Sequence, residues 1–122
     1  MRAPLIAALL VVSAACRSPM GPTETALTVL PSEGSLQLHN TSGQRTFYFT
    51  YEREAAAVIN WAPCVDSSRC PALEAGSRTS IPYAAIGGYE QGKSEAILWW
   101  WVATGPAGRA EPGRIHHVVV RL

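Results

Sequence analysis

Apolar and polar residues alternate with a period of two along most of the chain from Ala26 onward. That period marks strands that bury one face. Ala26–Leu30 (ALTVL) is a first strand, closed by Pro31 and the turn residues Ser32, Glu33 and Gly34. Ser35–Asn40 (SLQLHN) alternates, with Leu36 and Leu38 on one face, and Asn40-Thr41-Ser42-Gly43 makes a turn. Arg45–Arg53 (RTFYFTYER) is the clearest strand. Phe47, Phe49 and Tyr51 fall on one face, and Thr46, Tyr48, Thr50 and Glu52 on the other. These two strands are expected to pair as a hairpin with one face buried.

Further along, Glu54–Ala57 suits a helical turn too short to stand alone. Val58–Trp61 (VINW) reads as a strand, Ser77–Tyr83 (SRTSIPY) as another, and Glu95–Thr104 (EAILWWWVAT) as a long apolar one. The glycines at 87, 88 and 92 break the chain between the last two. A Pro- and Gly-rich loop, Gly105–Gly113, then leads to Arg114–Leu122 (RIHHVVVRL), which is placed to pair with the strand before the loop. About seven short strands in one small body predict an all-β fold, a small antiparallel β-sandwich of immunoglobulin-like architecture, with a small β-barrel as the alternative. The immunoglobulin spacing of Cys, Trp and Cys is absent, so the expectation is the sandwich architecture alone.

The first residues follow another pattern. Met1-Arg2 is followed by a ten-residue apolar run, Ala3–Val12, then Ser13-Ala14-Ala15-Cys16. Ten residues are too few for a membrane span, which needs about 20, and suit the apolar region of a signal peptide. Residues 1–16 resemble the lipobox-type signal peptide of a bacterial lipoprotein, with Ser13 standing where Leu is usual. The resemblance implies cleavage before Cys16 and attachment of a diacylglycerol to its thiol. An ordinary signal peptide cut at the same small residues is the alternative. Two acyl chains are enough for stable anchoring where one is not. Arg17 follows the cysteine, which resembles an outer-membrane address. The implied organisation is a signal peptide at 1–15, a lipidated Cys16 with a Pro/Gly-containing tether over 16–25, and a sandwich domain over 26–122. The implied location is the periplasm, outer membrane or cell surface, with the membrane as partner through the lipid anchor.

Export changes the reading of the other two cysteines. Cys64 and Cys70 lie in APCVDSSRCPA. An oxidising compartment lets them pair, leaving Cys16 for lipid. A loop this short contributes roughly 2 kcal/mol on the chain-entropy model. Removing residues 1–15 takes away Arg2, leaving nine basic against nine acidic residues, a net charge of zero. No basic cluster is present, so no nucleic-acid partner is expected.

Candidate chemistry is sparse. Trp99, Trp100 and Trp101 are consecutive, so alternation puts Trp99 and Trp101 on one face and Trp100 on the other. Either both faces are covered, or Trp99 and Trp101 form a platform for a sugar ring or a protein partner. Tyr83 or Tyr89 would supply any further ring. His116 and His117 point to opposite faces and His39 lies on another strand, so no metal site is expected. Ser67 and Ser68 beside Asp66 lack a nucleophile-elbow pattern, and Glu52, Glu54, Glu90 and Glu95 are a carboxylate set found in most domains. No catalytic residue and no cofactor are expected. The expected function is a non-enzymatic binding or structural module of the cell envelope. The alternatives are a carbohydrate-binding or protease-inhibitor-like module, or a small periplasmic hydrolase using His116 or His117.

Overall fold

The computed structural model describes residues 26–122. The signal peptide, Cys16 and the tether lie outside the described residues.

Strands dominate because the alternation is genuine. In β2 (Ser35–Asn40) the inward residues Leu36, Leu38 and Asn40 are buried, and in β6 (Glu95–Trp101) the inward residues are Ala96, Leu98 and Trp100. β1 (Leu27–Ser32) joins β2 through Glu33 and Gly34, whose φ values are 42° and 83°. Two consecutive positive φ values define the hairpin turn whose twist matches that of the strands, and Gly34 takes its share without steric cost.

Two antiparallel sheets result. β1, β2 and β5 (Arg78–Pro82) form one, in the order β1-β2-β5. β3 (Thr46–Glu52), β4 (Ala72–Leu73), β6 and β9 (His116–Arg121) form the other, in the order β4-β3-β6-β9. Their inner faces enclose Leu27, Leu36, Leu38, Leu73, Ala96, Leu98, Trp100 and Val120. This is a small all-β sandwich without a closed barrel, divided between its sheets in the immunoglobulin-like manner, with the fourth strand on the second sheet. The expected Glu95–Thr104 strand is divided: β6 ends at Trp101, and β7 (Ala103–Thr104) pairs instead with β8 (Glu111–Pro112) as a small separate ribbon. β9 pairs with β6 across the Gly105–Gly113 loop, as the pattern predicts.

Two more expectations are corrected. β2 and β3 are not a hairpin: β2 pairs with β1 and β5, and β3 with β4 and β6. The link between them crosses from one sheet to the other. Asn40, fully buried, holds it by donating to the carbonyls of Gln44 (2.9 Å) and Leu73 (2.8 Å). Val58–Trp61 is not a strand, and the fourth strand is the two-residue β4. Val58 is 84% exposed, so its apolar side chain does not mark a core position. The expected helical turn forms one residue early, as α1 (Arg53–Ala56).

Candidate functional site

The outer face of the four-stranded sheet is where the aromatic residues collect. Odd-numbered residues of β3 and β6 point outward. Register sets Phe47 beside Trp101, Phe49 beside Trp99 and Tyr51 beside Ile97. On the next strand His117 lies beside Trp99 and exposed Val119 beside Ile97. The loop after α1 lays Trp61 onto this face. Its ring centroid is 4.9 Å from that of Phe49, 5.0 Å from Trp99 and 5.7 Å from Trp101. Such spacings suit offset and tilted ring packing.

Alternation therefore assigns the faces of the three tryptophans correctly, and burial separates their roles. Trp100 is inside, 6% exposed, and stacks on His116 with centroids 5.7 Å apart. Trp101 points outward yet is only 2% exposed, because Trp61 and the disulfide loop lie over it. Its indole Nε1–H donates to the Cys64 carbonyl at 2.8 Å. Trp101 is thus an anchor for the loop. Trp99, Phe49, Tyr51 and Trp61 are half-buried and form the part of the face that reaches solvent. Tyr83 and Tyr89 do not join them. These two pair with each other, centroids 5.8 Å apart, against the core. The additional rings come from β3 and from Trp61. The alternation of Phe47, Phe49 and Tyr51 was the signal for the first set. The pattern makes Trp61 the end of a strand at Val58–Trp61, and the structure has none there.

The face is bounded at one edge by Gly87 and Gly88. A Cβ built at Gly87 would lie 2.3 Å from the Tyr51 ring, and one at Gly88 2.6 Å from the Ala55 Cβ. Glycine here lets the chain run close beside β3, where the Gly87 carbonyl accepts from the Glu52 N–H at 2.8 Å.

Cys64 and Cys70 are joined in a disulfide. Inside this loop Asp66 accepts from the Ser68 hydroxyl (2.7 Å) and N–H (3.0 Å), which hold its carboxyl below the usual carboxylate range. Ser67 takes a bond from Arg45 at 3.2 Å. Both serines are engaged in shaping the loop. The histidines are dispersed: His39 is in the first sheet opposite Arg78, and His116 and His117 point to opposite faces of β9. Among the described residues no three His, Cys, Asp or Glu side chains converge as a metal site would require.

Three of the four carboxylates line one charged cleft of about 510 Å³ at the α1 end, with Arg53 and Lys93. Glu95 pairs with Arg53 and Glu54 with Lys93. Glu52, 3% exposed, caps α1 by accepting from the N–H groups of Ala55 (2.8 Å) and Glu54 (3.1 Å). The Ala55 N–H is the chief cause that lowers the Glu52 carboxyl from its ordinary value. Burial opposes it, and the Glu54 N–H and the Lys93 charge add to it. A carboxylate with a lowered folded pKa stabilises fully above its unfolded value, and that contribution is lost as pH falls through the folded one. Glu52→Gln is therefore expected to lower the urea midpoint at neutral pH and to converge on the parent in acid, below the lowered value. A gap that stays constant throughout the acid range would show that Glu52 does not act through its charge.

Compared with protein-family models, with curated proteins and with solved structures, the chain matches none.

Proposed function

We propose that this chain is an exported lipoprotein, anchored through Cys16, whose β-sandwich is a non-enzymatic binding or structural module of the cell envelope. The observation that carries the reading is the pairing of Cys64 with Cys70. It leaves Cys16, directly after a ten-residue apolar run and three small residues, as the one thiol for another use. A disulfide in a small domain also accords with an oxidising compartment. The surface offered for binding is the solvent-reaching set Trp99, Phe49, Tyr51 and Trp61. Flat rings of this kind suit stacking on a sugar ring or docking a protein partner.

The test is metabolic labelling in a bacterial host with an alkyne-bearing palmitate, comparing the full chain with Cys16→Ser. Label on the parent, its absence from the variant, and a parent that sediments with membranes support the reading. A parent chain that is unlabelled and stays in the soluble fraction overturns it.

A further inference from the structure

The aromatic face is covered at its Trp101 end by a segment that has neither helix nor strand, residues 57–71. We infer that the Cys64–Cys70 disulfide is a releasable clasp, and that reducing it lifts this segment and uncovers the face. The inference goes beyond the envelope reading and makes no use of Cys16.

Connectivity carries it. The covering ring, Trp61, stands ten residues before Pro71, the first anchored position after the loop, whose carbonyl accepts from the Tyr48 N–H at 3.2 Å. Through the disulfide the route is far shorter: Trp61 is three residues from Cys64, and Cys70 adjoins Pro71. The bonds that shape the tip stay inside the ring closed by the disulfide. Arg69 and Cys70 donate their N–H groups to the Asp66 carbonyl, both at 3.0 Å. The segment's start is fixed to α1 by the Ala57 and Val58 N–H groups, which donate to Glu54 and Ala55, and its end by Pro71. Between them, what ties it to the sheet is the Trp101–Cys64 hydrogen bond, the ring contacts of Trp61 and the exposed Arg45–Ser67 bond. Without the disulfide these few contacts must hold a long irregular loop against its conformational entropy. The sheet beneath does not depend on the loop, since Phe47 and Trp101 are cross-strand partners within the β3–β6 ladder. Both cysteines are half-buried, so a thiolate can reach them.

The chemistry is ordinary exchange with a dithiol. A thiolate of the dithiol attacks one sulfur, the S–S bond breaks, and the other cysteine leaves as a thiolate. The second thiol of the reductant then displaces the first cysteine. Two electrons pass to the protein, both cysteines end as thiols after protonation, and the reductant ends as a cyclic disulfide.

The test uses the full chain carrying Cys16→Ser, so that Cys64 and Cys70 are its remaining cysteines. Acrylamide quenching of tryptophan fluorescence is measured before and after dithiothreitol, beside Trp61→Ala and beside Cys64→Ser/Cys70→Ser. Thiol titration establishes that reduction is complete. Reduction is expected to increase quenching and to shift emission to the red while the far-ultraviolet strand signal persists. The double serine variant should match the reduced chain. Trp61→Ala should be quenched readily in both redox states. Unchanged quenching with two titratable thiols overturns the inference. Loss of the strand signal on reduction also overturns it, because the bond would then hold the fold and not the cover.

Discussion

Leu98→Ala is expected to lower the unfolding free energy by about 3 kcal/mol. Leu98 sits at the centre of β6, which is bonded to β3 on one side and β9 on the other. Its side chain is fully buried and belongs to the cluster that contains Leu36, Leu38 and Trp100. A strand paired on both edges cannot move inward to close the space left by the missing atoms. The cost is therefore the lost burial plus most of the cavity term. Urea denaturation should show a lower midpoint with an unchanged slope, since the surface exposed on unfolding stays nearly the same. Val119→Ala, on the outer face of β9 and 42% exposed, is the control and should change stability by less than about 0.5 kcal/mol. Equal effects at the two positions would mean that the sheets do not enclose the core described above.

The positions of Leu98 and Val119 were legible in the sequence because a strand's period fixes which residues share a face. Alternation at 95–101 assigned Ala96, Leu98 and Trp100 to one side, and the same rule sorted the three tryptophans. Period does not say which strand lies next to which. SLQLHN and RTFYFTYER are separated by residues that suit a tight turn, and a hairpin was the local expectation. The actual link crosses between sheets, and what allows the crossing is a tertiary contact from Asn40 to Leu73, which is 33 residues away. The fourth strand was illegible for a different reason. Two residues, Ala72 and Leu73, are too few to show any period. The aromatic face was half legible. Its strand members follow from alternation, but Trp61 arrives from an irregular segment and is placed by its ring contacts with Phe49, Trp99 and Trp101, beside the Trp101–Cys64 hydrogen bond. The burial of Trp101 was hidden for that same reason.

That crossing point supplies the second large effect. Asn40→Ala is expected to destabilise the protein by about 2 kcal/mol, mostly through the buried Leu73 carbonyl losing its side-chain donor. The Asn40 amide is used at both ends. Its Nδ2 donates to Gln44 and Leu73, and its Oδ1 accepts from the Ser42 N–H (3.0 Å) and hydroxyl (2.7 Å). The backbone of Asn40 is bonded as well, donating to Ser77 and accepting from Gly76, both at 2.9 Å. Alanine leaves that backbone intact but takes the Nδ2 donor from the buried Leu73 carbonyl on the opposite sheet, while the Gln44 carbonyl keeps the Ser42 and Thr46 hydroxyls as donors. Leaving a buried polar group unsatisfied costs about 1–3 kcal/mol, and that loss at Leu73, together with the Ser42 N–H losing its Oδ1 acceptor, outweighs the small loss of side-chain volume. Ser42→Ala separates the two ends of the amide. It removes the hydroxyl that bonds Oδ1 and the exposed Gln44 backbone, leaves the Nδ2 donors in place, and should cost about 1 kcal/mol or less. Asn40→Asp keeps the acceptor, loses both donors and sets a carboxylate against two carbonyls, so it should be at least as damaging as alanine. Chemical denaturation of the three variants fixes the order. If Asn40→Ala costs no more than Ser42→Ala, the bonds to Gln44 and Leu73 contribute little, and the sheets are joined by apolar contact alone.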